Sequence, residues 1–166
     1  MSTSARVWTL LGELEKSRAV LARIADFHDR YLEQTQDARD RTTEQAIVLA
    51  DILVSYYTCL ETVFLRISQF FENDLAPEKW HQDLLRKMSL TIEGIRDPVI
   101  SDPTAAQLAE LLRFRHFKRY YFEFDHDWDR IDFLRKKFAP LRSAVADDLN
   151  RFAQFLRRLA APPDSQ

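Results

Sequence analysis

The sequence predicts an all-α fold, an antiparallel four-helix-type bundle with one additional short helix. Apolar residues recur every three or four positions along most of the chain, which is the period of a helix with one buried face. The 166 residues include only two glycines and six prolines, too few for the turns of a β-sandwich or for a Gly-rich phosphate loop. The composition, 46% apolar and 30% charged, argues against disorder. We expect one helical domain over residues 1–160, with a flexible tail at 161–166.

Two long helices are predicted in the N-terminal half, from about Ser4 to the mid-thirties and from about Thr43 to Glu72. Pro77 follows the second helix and ends it, because proline disfavours helical backbone in the residue before it. The apolar stripes that predict the two helices are Val7, Leu10, Leu14, Leu21, Ile24 and Tyr31, and then Ile47, Ala50, Leu53, Tyr57, Leu60, Phe64, Ile67 and Phe71.

A short helix, a loop and a third long helix are expected next. The short helix covers about Pro77–Met88, and the loop covers about Thr91–Asp102. Asp102 is predicted as the N-cap of the following helix with Pro103 at its first position, since both residues favour those places. This helix should extend to about Phe122.

The last helix is predicted to begin after Asp127 as N-cap and to end at about Ala160. Pro140 should kink or slightly interrupt it, because proline lacks the backbone N–H that a helix interior uses. Its apolar stripe is Ile131, Leu134, Phe138, Leu141, Val145, Leu149, Phe152, Phe155 and Leu159.

Charge and cysteine usage favour a cytoplasmic protein with no membrane association. The net charge of −2 gives no global basic field for nucleic acid, so any such contact needs a local cluster. The single cysteine, Cys59, cannot form an internal disulfide, and the first eight residues lack a signal-peptide pattern. The apolar stretch at 46–71 contains Asp51, Glu61 and Arg66, which indicates a core helix rather than a membrane span.

Basic residues concentrate in one seven-residue segment that holds Arg113, Arg115, His116, Lys118 and Arg119. On a helix, Arg115 and Arg119 share one face. Cations this close repel one another, so their clustering favours a nearby anion, either a carboxylate of a neighbouring helix or a phosphate. The structural alternative is a basic helix C-terminus that complements the helix dipole, with arginine stems packed along the surface.

Six segments between residues 47 and 134 form an ordered series. They are Tyr57-x-x-Leu60-Glu61-x-x-Phe64-x-x-Ile67, Trp80-His81-x-Asp83-Leu84-Leu85-x-x-Met88, Ile95-Arg96-x-Pro98-x-Ile100-Ser101, Leu111-x-x-Phe114-Arg115-His116, Arg115-His116-x-x-Arg119-Tyr120-x-Phe122 and Asp127-Trp128. This series resembles the HepT-like ribonuclease toxins, a family of the HEPN superfamily of small helical bundles. Their motif reads Arg, a polar residue, three more residues, His, one residue and Tyr.

The resemblance implies a homodimer in which the arginine-bearing helices of two subunits meet and hold RNA in the groove between them. It implies cleavage without metal or cofactor, by attack of the ribose 2′-hydroxyl on the adjacent phosphate. Arg115 would bind the phosphate and His116 would be the adjacent polar residue, while Arg113, Lys118 and Arg119 would add RNA contacts. The partner of such a toxin is a minimal nucleotidyltransferase antitoxin, which adenylylates the motif tyrosine or otherwise masks the site.

Two positions depart from the family motif. Tyr120 stands where the motif has its proton-transferring His, and Phe122 stands where it has the modified Tyr. A phenol with an ordinary pKa of about 10 is a poor base at neutral pH, and a phenyl ring cannot accept a nucleotidyl group. His116 lies one turn before Tyr120 and is a candidate to replace the base, or it positions Arg115 instead. Tyr120 and Tyr121 are the alternative modification targets.

Three hypotheses follow for function. The first is a dimeric RNA-binding toxin component that cleaves RNA through Arg115, His116 and Tyr120. The second is a degenerate HEPN protein that binds RNA or a partner protein without cleavage. The third is a helical scaffold whose arginines pair with Glu61 or with aspartates inside the bundle.

The remaining histidines predict no metal site. Glu78-x-x-His81 has the spacing of di-iron bundles, but such sites need a second pair that the sequence lacks. His81 is therefore predicted as a partly buried hydrogen-bonding residue beside Trp80. His126 is interpreted as a turn residue, and His28 is expected at a solvated or bundle-edge position of the first helix.

Overall fold

The computed structural model describes residues 3–35, 41–72, 80–121 and 127–161, and within them the predicted all-α bundle is confirmed. The predicted helices are all present, with bounds close to those expected. The N-terminal part of the predicted short helix, Phe122 and the tail beyond 161 lie outside the described residues. The helices are α1 (Thr3–Thr35), α2 (Thr43–Phe71), α3 (Trp80–Met88), α4 (Asp102–Tyr121) and α5 (Trp128–Ala160).

Helix α2 is the centre of the bundle, since it packs against each of the other four helices. Helices α1 and α5 pack along each other and are antiparallel. Ser4 Oγ near the start of α1 donates to the carbonyl of Ala160 at the end of α5 (2.9 Å). Toward the other end of the pair, Asp29 of α1 meets Arg142 of α5 at 2.8 Å. Helix α4 packs on α2, α3 and α5 and does not contact α1 in the described part of the chain.

By length and composition alone, α2 is apolar enough to cross a membrane. Its most apolar window has a mean hydropathy of 1.6, and 56% of that window is buried inside the protein. Because α2 contacts all four other helices, its apolar faces are covered by protein. This is the arrangement of a core helix, as Asp51, Glu61 and Arg66 predict.

The helix starts follow side-chain capping. Thr42 and Gln45 form a capping box at α2, with the Thr42 hydroxyl accepting from the Gln45 N–H at 3.2 Å. Asp127 caps α5, as predicted, by accepting from the Asp129 N–H at 3.0 Å. The predicted N-cap of α4 is wrong by one residue, because the hydroxyl of Ser101 accepts from the Thr104 N–H (3.3 Å) and makes Ser101 the cap.

Helix α5 runs through Pro140 without the predicted interruption. Proline removes one intrahelical donor, so the carbonyl of Lys136 loses its usual partner. Both residues are exposed, and water can satisfy that carbonyl at the surface.

The loop between α3 and α4 is organised around the buried guanidinium of Arg96. Its Nε donates to Glu72 Oε1 at 2.7 Å, and its Nη atoms donate to the carbonyls of Leu90 (3.1 Å) and Lys87 (2.9 Å). Gly94, with φ of +74°, makes the tight turn inside this loop. Arg96 thus ties the end of α2 to the end of α3 and to the loop between α3 and α4.

His28 is buried, so its predicted solvated position is wrong. The side chain on α1 contacts the ring of Phe138 on α5 edge-on at 4.7 Å, and the residue is 3% exposed. Nδ1 lies 3.2 Å from Asp29, while Nε2 is buried and has no partner in the described structure. Burial lowers the pKa of His28, against the opposing effect of Asp29 and with help from Arg142.

We expect the bundle to lose stability as the pH falls from about 6.5, the ordinary pKa of histidine. The lowered pKa of His28 means that the unfolded chain binds this proton more readily than the folded one. The free energy of unfolding should fall by at most about 1.4 kcal/mol per pH unit until the folded pKa is reached. The pKa of Asp29 is also lowered, mainly by its hydrogen bond from Arg142, but its contribution is lost only below about pH 4.

Urea denaturation at several pH values measures this effect. His28→Leu should flatten the dependence between about pH 6.5 and 5. An unchanged slope in His28→Leu would mean that another group is responsible.

Candidate functional site

The basic segment lies on the C-terminal half of α4, and its side chains point in two directions. Arg113, His116 and Arg119 are exposed. Arg115 turns inward toward α2, and its side chain is 13% exposed. We call the three exposed residues the outer basic face (Arg113, His116 and Arg119), and Arg115 supplies one inner guanidinium.

Arg115 forms a two-bond ion pair with Glu61 of α2. Its Nη1 donates to Oε1 at 2.9 Å and its Nη2 donates to Oε2 at 2.8 Å. The Glu61 side chain is only 9% exposed. Charge-assisted pairs with this geometry are the strongest side-chain hydrogen bonds. Glu61 is thus the acidic partner that the third hypothesis, the helical scaffold, names for these arginines.

Two further α2 residues surround the guanidinium of Arg115. Its Cζ lies 4.9 Å from the centre of the buried Tyr57 ring, within cation–π range. Nη1 also lies 3.5 Å from the hydroxyl of Thr58. Burial, and secondarily the charge of Glu61, raise the pKa of Tyr57. The Tyr57 hydroxyl therefore stays protonated at neutral pH.

His81, near the start of α3, completes the group. Its Nδ1 lies 2.7 Å from Glu61 Oε2 and 3.1 Å from Arg115 Nη2. The imidazole packs against the ring of Trp80, with 3.6 Å between centroids, and its side chain is 34% exposed. The prediction that His81 is a partly buried hydrogen-bonding residue beside Trp80 is confirmed. We call Glu61, His81 and Arg115 the Glu61 cluster.

Donor and acceptor chemistry assigns the proton on His81. A carboxylate only accepts hydrogen bonds, so the short contact to Glu61 requires a hydrogen on Nδ1 of His81. Nδ1 of His81 then cannot accept a hydrogen bond from Arg115. The 3.1 Å distance between Nδ1 and Nη2 of Arg115 arises because both atoms donate to the same oxygen, Oε2 of Glu61. The second ring nitrogen, Nε2, is left for acid–base exchange.

Two other basic residues of the segment also have acidic neighbours in their own chain. Lys118 lies 3.0 Å from Asp51 of α2, and Arg113 lies 3.0 Å from Glu110 one turn earlier. The side chains of Arg113 and Asp51 are mostly exposed, and ion pairs with an exposed member are worth about 0–1 kcal/mol. Such pairs exchange partners easily, unlike the inner pair of Arg115.

Several predicted residues fall outside what the structure describes. The side chains of Tyr120 and Tyr121 are not described, and Phe122 and His126 lie in the gap before α5. Glu78, the first residue of the Glu78-x-x-His81 pair, also lies outside the described ranges. The second residue, His81, makes its Nδ1 contact with Glu61. Across the described part of the chain, no group of three or more His, Cys, Asp or Glu residues is arranged to hold a metal ion.

The third hypothesis names Glu61 as a partner of the arginines, but no sequence pattern places His81 with Glu61 and Arg115. They are separated by 20 and 34 positions, and only packing unites them. One signal was available: Glu61 directly follows Leu60 on the apolar face of α2. A carboxylate in that position needs a cationic partner, and the arginine-rich helix is the natural source.

The fold and this site define a class of protein. It is a small all-helical bundle in which an arginine-rich helix packs against the central helix. A family model described as "HepT-like protein" matches residues 48–156, more than half of the chain. The chain therefore belongs to the HepT-like family, as its ordered motifs predict. The match begins within α2 and ends near the C-terminus of α5, so it includes the entire Glu61 cluster. No curated protein and no solved structure is significantly similar to the chain.

Proposed function

We propose that this protein is the toxin-side component of a toxin–antitoxin pair and that it binds RNA through the outer basic face of α4. The observation that carries the proposal is the exposure of Arg113, His116 and Arg119 on one helix of a protein with a net charge of −2. Positive side chains that reach solvent in a cluster attract the RNA backbone locally, without a global positive field. Membership of the HepT-like family supports the same proposal.

The working unit is a cytoplasmic homodimer in which the two α4 helices meet and RNA lies between them. A minimal nucleotidyltransferase antitoxin neutralises it. Phe122 cannot accept a nucleotidyl group, so modification would fall on Tyr120 or Tyr121. Sedimentation of the purified protein tests the dimer. A nucleotide mass on the peptide that contains both tyrosines, after co-expression with the antitoxin, tests the modification.

Cleavage would proceed without a metal ion, by attack of a ribose 2′-hydroxyl on the neighbouring phosphate. A guanidinium has five N–H donors; Glu61 takes two of those on Arg115, and Nη1 also lies 3.5 Å from the Thr58 hydroxyl. The others are left to bind a phosphate and to stabilise charge as it develops on the phosphoryl oxygens.

A second candidate function is RNA or protein binding without cleavage. It is favoured by Tyr120 and Phe122, which replace the two reactive residues of the family motif. The tight pairing of Arg115 with Glu61 favours it as well, because a neutralised guanidinium attracts phosphate less strongly.

One experiment separates these candidates. The purified protein, Arg115→Ala and His116→Ala are incubated with tRNA or mRNA in the presence of EDTA, and both RNA affinity and RNA products are measured. Cleavage that is lost in both variants supports a nuclease in which His116 transfers the proton. Affinity that falls in Arg115→Ala, with no cleavage by any form, supports the non-cleaving protein. If neither variant changes RNA affinity or products, both RNA functions are wrong.

Removing two charges from the outer basic face should weaken RNA binding measurably. Arg113→Ala/Arg119→Ala should lower the dependence of log K on log salt concentration by about 1.4, the value for two phosphate contacts to single-stranded RNA. The matched control is Arg23→Ala/Arg30→Ala, which removes two exposed arginines from α1. Fluorescence anisotropy at several salt concentrations gives the slopes. Equal slopes of log K against log salt concentration for the two double variants would mean that RNA does not bind at the outer basic face.

A further inference from the structure

We propose that His81 is the proton-transferring residue of this protein and supplies the function that Tyr120 cannot provide at the motif position. The inference rests on the proposed RNA function and adds to it a residue outside the arginine-rich helix. It follows from the short contact that places the imidazole of α3 against Glu61 and Arg115.

Orientation is the first argument for His81. A general base needs a ring nitrogen that is held in place and can exchange a proton with the substrate. Glu61 Oε2 holds Nδ1 at 2.7 Å, and the Trp80 ring packs against the imidazole. A carboxylate on one ring nitrogen fixes the tautomer, which leaves the other nitrogen to take a proton. The side chain is one-third exposed, so a ligand has access to it.

Proximity to the phosphate-binding group is the second argument. Arg115 Nη2 lies 3.1 Å from Nδ1 of His81, so a phosphate held by the remaining N–H groups of Arg115 lies within reach of the imidazole. One carboxylate therefore positions both the group that binds the phosphate and the group that moves the proton. His116, the sequence-based candidate, is on the exposed side of α4 instead.

The proposed reaction is a transesterification. Nε2 of neutral His81 takes the proton of the ribose 2′-hydroxyl, and the 2′-oxygen forms a bond to the adjacent phosphorus. The bond from phosphorus to the 5′-oxygen breaks, and that oxygen takes a proton from water. The imidazolium then returns its proton to solvent. One RNA chain gives a 2′,3′-cyclic phosphate end and a 5′-hydroxyl end, with no net change in protons.

His81→Asn is the decisive variant, because the Asn amide can still donate to Glu61 from near the Nδ1 position but has no second ring nitrogen. We expect RNA cleavage in EDTA to fall by about 10²- to 10⁴-fold, the usual contribution of a general base. RNA affinity and the midpoint of urea unfolding should stay near those of the wild type. Gln82→Ala, which changes the exposed neighbour on α3, should cleave normally.

Each other outcome overturns the proposal in a distinguishable way. Wild-type cleavage rates in His81→Asn together with loss of cleavage in His116→Asn would move the role to His116. A wild-type protein that binds tRNA but yields no cyclic-phosphate ends would refute the role of His81 and leave RNA binding intact. A protein with no RNA affinity would refute the proposed function itself. A His81→Asn variant that loses folding and cleavage together, while His81→Gln folds and cleaves normally, would assign His81 a structural role.

Discussion

Glu61→Ala should destabilise the bundle by about 3–5 kcal/mol, because it leaves the guanidinium of Arg115 buried without its carboxylate. Both side chains of this pair are largely excluded from solvent, so water cannot fully replace the lost contact. The variant also releases His81 from its only described acidic partner. Urea unfolding monitored by circular dichroism gives the change in the free energy of unfolding.

Glu61→Ala/Arg115→Ala provides the matched comparison. If the single variant is unstable because of an unpaired cation, removal of that cation should restore part of the stability, and the two substitutions should couple by about 0.5–3 kcal/mol. Strict additivity of the two losses would contradict the ion pair as the source of the effect.

Arg96→Ala should cause a loss of similar size, about 3–5 kcal/mol. The Arg96 side chain is fully buried and donates to Glu72 and to the carbonyls of Lys87 and Leu90. Its removal leaves a buried carboxylate and three carbonyls, those of Lys87, Leu90 and Asp97, without their donor. The loop that leads into α4 should also loosen, which hydrogen exchange of the backbone around Ile92 would detect.

Arg86→Ala is the control for Arg96→Ala, since Arg86 is exposed on the neighbouring α3. It should change the free energy of unfolding by no more than about 0.5 kcal/mol. If the two arginine variants were equally mild, the network around Arg96 would not be a stabilising element of this loop.

The order and approximate bounds of the helices were predictable because apolar spacing reports directly which face is buried. The start of α5 followed from Asp127, whose side chain favours helix N-termini. The start of α4 shifted by one residue because Ser101 and Asp102 are both good N-caps, and only the fold chooses between them. Ser101 is favoured there since its backbone N–H also donates to the buried Asp148 of α5 at 2.8 Å.

The site was predictable only in part. The arginine-rich segment is local in sequence, so its position on α4 could be foreseen. The Glu61 cluster depends on how α2, α3 and α4 pack, and no helical spacing encodes a contact between different helices. His28 illustrates the same limit, because charged neighbours in sequence suggested solvent, whereas packing against α5 buries the ring.

Photo-crosslinking of the protein to RNA, followed by mass spectrometry of the attached peptides, tests the central claim most directly. We expect crosslinks in the α4 segment 113–119 and at Trp80 or His81 of α3, because the outer basic face and the Glu61 cluster are the proposed RNA contacts. Crosslinks confined to α1 and α5, or none above those of an unrelated helical protein, would contradict the account.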